Sequence, residues 1–199
     1  MDRQGIFDTV RKIMRRPNYS DEDLTLYCDL LEGQIRVPFL EHPRSFRSYQ
    51  WTIPTQDDQG VPFEEDTPLV PLPSDCGNLV KLWSDSVAKY EQYPLSINPE
   101  CGYHDRGLYV HLFPTPIRGS VIYLDYNAFL RKLQSSVDVN WVSEYFAPVY
   151  VYGLLSLACS VEEHPQVTQW EQNYRNAVLE VRRQGALQNL DPNRSVQNG

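Results

Sequence analysis

Apolar positions recur at helical spacing at both ends of the chain and give way to short β-type runs in the middle. Ile6, Val10, Ile13 and Met14, with Phe7 beside them, predict a first helix over Arg3 to Arg16. Pro17 ends it, lacking an amide hydrogen and clashing with the preceding turn. Ser20, with Asp23 three residues on, has the form of a shortened capping box. Leu24, Tyr27, Cys28, Leu31 and Ile35 then make the stripe of a second helix, closed by Pro38 and Pro43. The pair reads as an antiparallel helical hairpin.

In the middle, proline and glycine become frequent. Strands are predicted over Tyr49 to Ile53, Leu69 to Leu72, Leu79 to Trp83, Leu108 to Phe113 and Val121 to Tyr126. The polar, acidic stretch Gln56 to Thr67 reads as an exposed hairpin loop. Leu108 to Phe113 and Val121 to Tyr126, joined through Pro114 to Ser120, read as a strand, a turn and a returning strand.

Helical spacing returns after Pro148. Val149 to Ser160 is apolar on nearly every side, the pattern of a central, buried helix. Glu162-Glu163-His164 is the turn, Pro165 opens a last helix, and Gly185 fits its C′ stop. That helix carries the stripe Val167, Trp170, Tyr174, Ala177, Val178 and Val181, with Gln169, Glu171, Arg175, Asn176, Glu180 and Arg183 on its solvated face. Ala186 to Gly199 has too little apolar surface to order itself alone. The expected fold class is α+β: a four-helix bundle from the N- and C-terminal helices with a small antiparallel β region inserted. In numbers this is one domain over 1–185 (helices about 3–40 and 147–184, β region about 47–126) and a flexible tail over 186–199.

Composition narrows the function. At 41% hydrophobic and 22% charged the chain has the makings of a packed core. A net charge of -8 argues against general nucleic-acid binding and does not exclude a surface past which DNA slides without sticking. The 12% aromatic content, with 13 Tyr and 4 Trp, suits a core and equally an interface. Cys28, Cys76, Cys101 and Cys159 form no CxxC pair and read as reduced thiols. With no apolar leader and no run long enough for a membrane span, a soluble chain made in the cytoplasm is expected.

Chemical motifs are sparse. His42, His104, His111 and His164 make no metal-ligand spacing, and no Walker loop, GxGxxG or GxSxG occurs. His104-Asp105-Arg106 is placed in a turn before a strand, the one foothold for a small hydrolase using His104 and Asp105. Adjacent polar residues in a turn are ordinarily solvated, and so is Ser74-Asp75 after Pro73. The acidic runs Asp57-Asp58 and Glu64-Glu65-Asp66 lack the spacing of a calcium loop. No catalytic, cofactor-binding or metal residue is assigned, and no cofactor is expected.

An ordered series of residues nevertheless resembles one family. Tyr123-Leu-Asp-Tyr-Asn-Ala-Phe-Leu-Arg-Lys-Leu is followed by Asn140-Trp141, then Pro148 and Tyr152-Gly153-Leu154, then Trp170, Tyr174 and Ala177 after an acidic turn. Upstream stand Leu72-Pro73-Ser74-Asp75, Leu112-Phe113-Pro114, and the helical pair before Tyr49 and Trp51. Together they resemble phage head-to-tail connector adaptors, the tail tubular or adaptor subunits of short-tailed phages. The stretch Gln56 to Thr67 has no counterpart in that pattern.

The resemblance implies a structural protein of the virion, assembled in the host cytoplasm. Its copies would form a ring, commonly of twelve, below the portal. The ring would extend the DNA channel and give downstream tail or nozzle proteins a platform, with DNA passing unbound and no membrane involved. The apolar stripe of the last helix makes Trp170 and Tyr174 core anchors, with Trp141 beside them, and on the resemblance the tail docks on the portal through Leu187, Leu190 and Arg194. The rivals are a tail terminator or head-closure protein, the hydrolase, and a host-protein binding module.

Overall fold

The computed structural model describes residues 1–15, 19–56, 69–95, 97 and 100–189. It is mixed α/β, and its described residues hold five α-helices and two three-stranded antiparallel sheets. The chain divides into a helical unit, residues 1–45 and 129–199, and a β unit, residues 46–128.

In the helical unit, α1 (Arg3–Met14) starts at Asp2, whose carboxylate accepts the Gly5 amide, and closes on Arg15 in left-handed conformation. The predicted end at Arg16 and Pro17 lies outside the described residues. α2 (Asp21–Ile35) is capped by Ser20, which accepts the Asp23 amide at 3.0 Å. After the β unit come α3 (Trp141–Tyr145), α4 (Ala147–Val161) and α5 (Val167–Asn189). α4 is the central element: α1, α2, α3 and α5 all pack on it. Its sequence requires this, since Val149, Tyr150, Leu154, Leu155, Ala158 and Cys159 point in several directions and all are buried. Each large apolar side chain withdrawn there contributes about 1.5–3 kcal/mol. α4 and α2 pack tightly at Gly153, where a Cβ would lie 2.6 Å from Leu31 of α2.

In the β unit, β1 (Phe46–Thr52), β6 (Val121–Ala128) and β3 (Cys76–Ser84) form one sheet in the order β1-β6-β3. β2 (Leu69–Pro71), β5 (Tyr109–Phe113) and β4 (Gly102–Asp105) form the other, in the order β2-β5-β4. β6 alternates half-buried and buried residues along its whole length, the period of a strand with one face in a core. Val70, Leu82, Tyr103, Val110, Leu112, Ile122 and Leu124, drawn from both sheets, share a single apolar cluster.

Three expectations are corrected. The strands over Leu108 to Phe113 and Val121 to Tyr126 are not partners: β5 pairs with β2 and β4, while β6 pairs with β1 and β3. The connection from Pro114 to Ser120 holds two prolines and changes sheets instead of turning tightly. His104 and Asp105 lie in strand β4, not in a turn before it. Gly185 is not a helix stop. It is buried inside α5, which runs on to Asn189, so residues 186–189 of the expected tail are helical. A Cβ at Gly185 would sit 2.7 Å from the His42 ring, so packing explains this glycine and capping does not. Residues 190–199, with Leu190 and Arg194, lie outside the described residues, as do the acidic runs from Asp57 to Asp66.

Candidate docking surfaces

A buried polar network ties the chain's return from the β unit to the helices. Glu32 of α2 reaches inward, and its Oε1 accepts the Leu133 amide and the Tyr150 hydroxyl, each at 2.9 Å. Asn140 donates from Nδ2 to the Tyr150 oxygen at 2.7 Å and to the Arg131 carbonyl at 2.8 Å. Its own Oδ1 caps α3 at the Ser143 amide, and Ser143 Oγ accepts the Asn140 amide in return. Burial pushes the Glu32 carboxyl above its ordinary range, against the lowering pull of the Leu133 and Tyr150 hydrogen bonds.

A second inner cluster surrounds His42. Its ring stacks on Trp141 at 4.4 Å and lies edge-on to Phe146 at 6.1 Å. Nδ1 accepts the Arg44 amide at 3.1 Å. Burial, with the Arg44 charge adding to it, lowers the His42 pKa to about 4. Trp141, Trp170 and Tyr174 are half-buried and border the helical core, Trp170 stacking on Tyr152 at 5.9 Å. Leu187 stands in the last turns of α5 and is 58% exposed.

The hydrolase pair is not assembled. Successive residues on a strand point to opposite faces. His104 is buried, with Nε2 against the Ile97 carbonyl at 2.6 Å, while the exposed Asp105 accepts the Gly107 amide at 2.8 Å. His111 stands across from His104, its pKa lowered by burial and then by Arg106. No group of three or more His, Cys, Asp or Glu side chains suited to a metal occurs among the described residues. No described helix is long and apolar enough to cross a membrane.

What the β unit turns outward is aromatic and polar. Tyr123 and Asp125 project from β6, flanked by Gln50 and Ser48 of β1 and by Trp83 and Lys81 of β3. The Trp83 and Tyr123 rings stack at 5.5 Å, and Lys81 covers Trp83 with Nζ 4.4 Å from the ring. Ser48 donates to Asp125 at 2.7 Å, and the Tyr123 hydroxyl to Asp85 at 3.2 Å. The residues form a shallow groove. Such groups bind by area and stacking.

The class these features define is a mixed α/β scaffold of one helical and one β unit. The family model of the SU10 adaptor protein matches residues 1–196, nearly the whole chain, and the chain belongs to that family: it is a bacteriophage adaptor protein. No curated protein matches it.

Proposed function

We propose that this adaptor is one subunit of a ring, a dodecamer, seated below the portal of a short-tailed phage. The ring continues the DNA channel and offers the downstream tail or nozzle protein its platform. The helices work as a four-helix bundle packed side by side with those of neighbouring copies, a head-to-tail contact that closes by rotation. The chain carries no catalysis. The acidic character, -8 overall, keeps passing DNA from sticking. One observation carries the reading: the family match runs through both the helical and the β unit, so the whole chain is adaptor.

The portal contact is the C-terminal segment, with Leu187, Leu190 and Arg194 as contacts. Supporting this, Leu187 is exposed near the end of α5. The test combines the purified chain with portal rings of the same phage and images the product by electron microscopy. The full chain should add a ring to the portal. A chain lacking residues 190–199 and carrying Leu187→Asp should keep its melting temperature and lose portal binding. Undiminished binding by that variant would remove the tail from the portal contact, and a full chain that adds no ring would remove the portal reading altogether.

A further inference from the structure

α2 and α5 each turn an uncommitted face to solvent. On α2, Leu26 is 57% exposed, Leu30 51% and Val37, just past the helix end, 68%. With Gly33 they form one stripe opposite the buried Leu24, Cys28, Leu31 and Ile35. Glycine within an exposed helix weakens it, and Gly33 has no internal reason to be there, since a Cβ at that position would meet nothing. On α5, Leu179 (60% exposed) and Ala186 lie opposite the buried Val181 and Gly185.

The α2 face is flanked by acidic residues alone, while the α5 face carries three arginines against Glu171 and Glu180. Glu22, Asp23 and Asp29 flank the α2 stripe, and Arg175, Arg182 and Arg183 flank the α5 stripe. Glu22 and Arg182 have no ion-pair partner among the described residues; Asp29 pairs with Lys132 at 3.6 Å, and Arg175 and Arg183 pair along α5 with Glu171 and Glu180. The spacings also agree. Laid parallel with Leu26 level with Leu179, Glu22 is level with Arg175 and Gly33 with Ala186, so the two small residues meet where the helix axes must come closest.

We propose that the outward face of α2 in one copy seats the outward face of α5 of the next copy, with Gly33 as the close-approach point. This deepens the ring reading and rests on it. The contact joins two different patches of one chain, so it propagates head to tail and closes by rotation.

The test uses the full chain alone. A photo-crosslinker placed at Leu30 should yield covalent dimers whose linked peptides come from residues 172–187. Gly33→Leu should leave the monomer's melting temperature unchanged or raised, and weaken self-association at least tenfold in sedimentation. Arg175→Glu with Arg182→Glu should weaken it similarly, and adding Glu22→Lys with Asp29→Lys should restore it. Self-association that survives these changes, or crosslinks on another surface, would overturn the α2–α5 contact and leave the ring standing. A chain that stays monomeric and uncrosslinked at the highest soluble concentration would overturn both.

Discussion

Glu32 offers a sharp test of how the helical unit holds the segment that returns from the β unit. Its carboxylate is buried, with Oε1 taking two hydrogen bonds and Oε2 lacking a partner among the described residues. In Glu32→Ala the Leu133 amide and the Tyr150 hydroxyl proton are both orphaned. Each orphan costs about 1–3 kcal/mol, and the one lost methylene adds about 0.8 kcal/mol. The expected loss is roughly 3–7 kcal/mol, a large part of the whole stability of an ordinary domain. Glu32→Gln keeps the accepting oxygen and removes the buried charge, so at neutral pH it should change stability by no more than about 1 kcal/mol. The two variants also separate by pH. Burial raises the folded-state pKa above the ordinary 4.5, so the wild-type group contributes most below that value. That contribution is lost as pH rises through the folded pKa. Wild type minus Glu32→Gln should therefore become less favourable from acid towards pH 8. Urea unfolding followed by tryptophan fluorescence at several pH values measures both effects. Equal losses in the two variants, or a difference flat with pH, would refute the reasoning.

Gly153→Ala should destabilise by about 1–2 kcal/mol in thermal melts, because the fully buried Leu31 stands 2.6 Å from the new Cβ and the crowding outweighs the gain in helix propensity. Gly33→Ala, with open space around it, should stabilise by up to about 1 kcal/mol. His42 should make the wild type lose stability as pH falls from 6.5 towards its folded value of about 4, since only the unfolded chain takes up the proton. The loss is roughly 2–3 kcal/mol, and it should vanish when His42→Phe is melted over the same range. Trp170→Ala, which removes a half-buried ring stacked on Tyr152, should cost about 2–3 kcal/mol by chemical denaturation. A change under about 0.5 kcal/mol would assign that ring to an interface instead.

What was legible in the sequence was local in origin. α1, α2, α4 and α5 each have a stripe or an all-round apolar surface that identifies them without reference to the rest of the chain, and Ser20 and Pro148 mark real helix starts. What was not legible depends on distant partners. β4 is four residues, Gly102 to Asp105, with no β-forming run of its own, and becomes a strand because β5 lies beside it. β5 and β6 are neighbours in sequence that pair elsewhere, which no run of residues announces. Gly185 looks like a stop by helix-end chemistry, whereas its cause is a histidine ring far away in the chain. α3 is too short for a stripe, and its capping pair, Asn140 with Ser143, was the one signal available for it.

The same division governs function. A catalytic site would be a convergence of polar groups, and the sequence could only name candidates such as His104 and Asp105, which strand alternation then sends apart. An adaptor's function is instead spread over outward faces, where an exposed leucine differs from an ordinary surface leucine only by company. Leu26 and Leu30 mean little singly, because exposed apolar residues are common. They gain meaning beside a glycine without a packing cause, opposite a stripe already committed to the core, and with charge of one sign along the flank. The helical period places all of these on one face from the sequence alone. The structure adds which face the core has already taken, and only then does the remaining face become a candidate for another molecule.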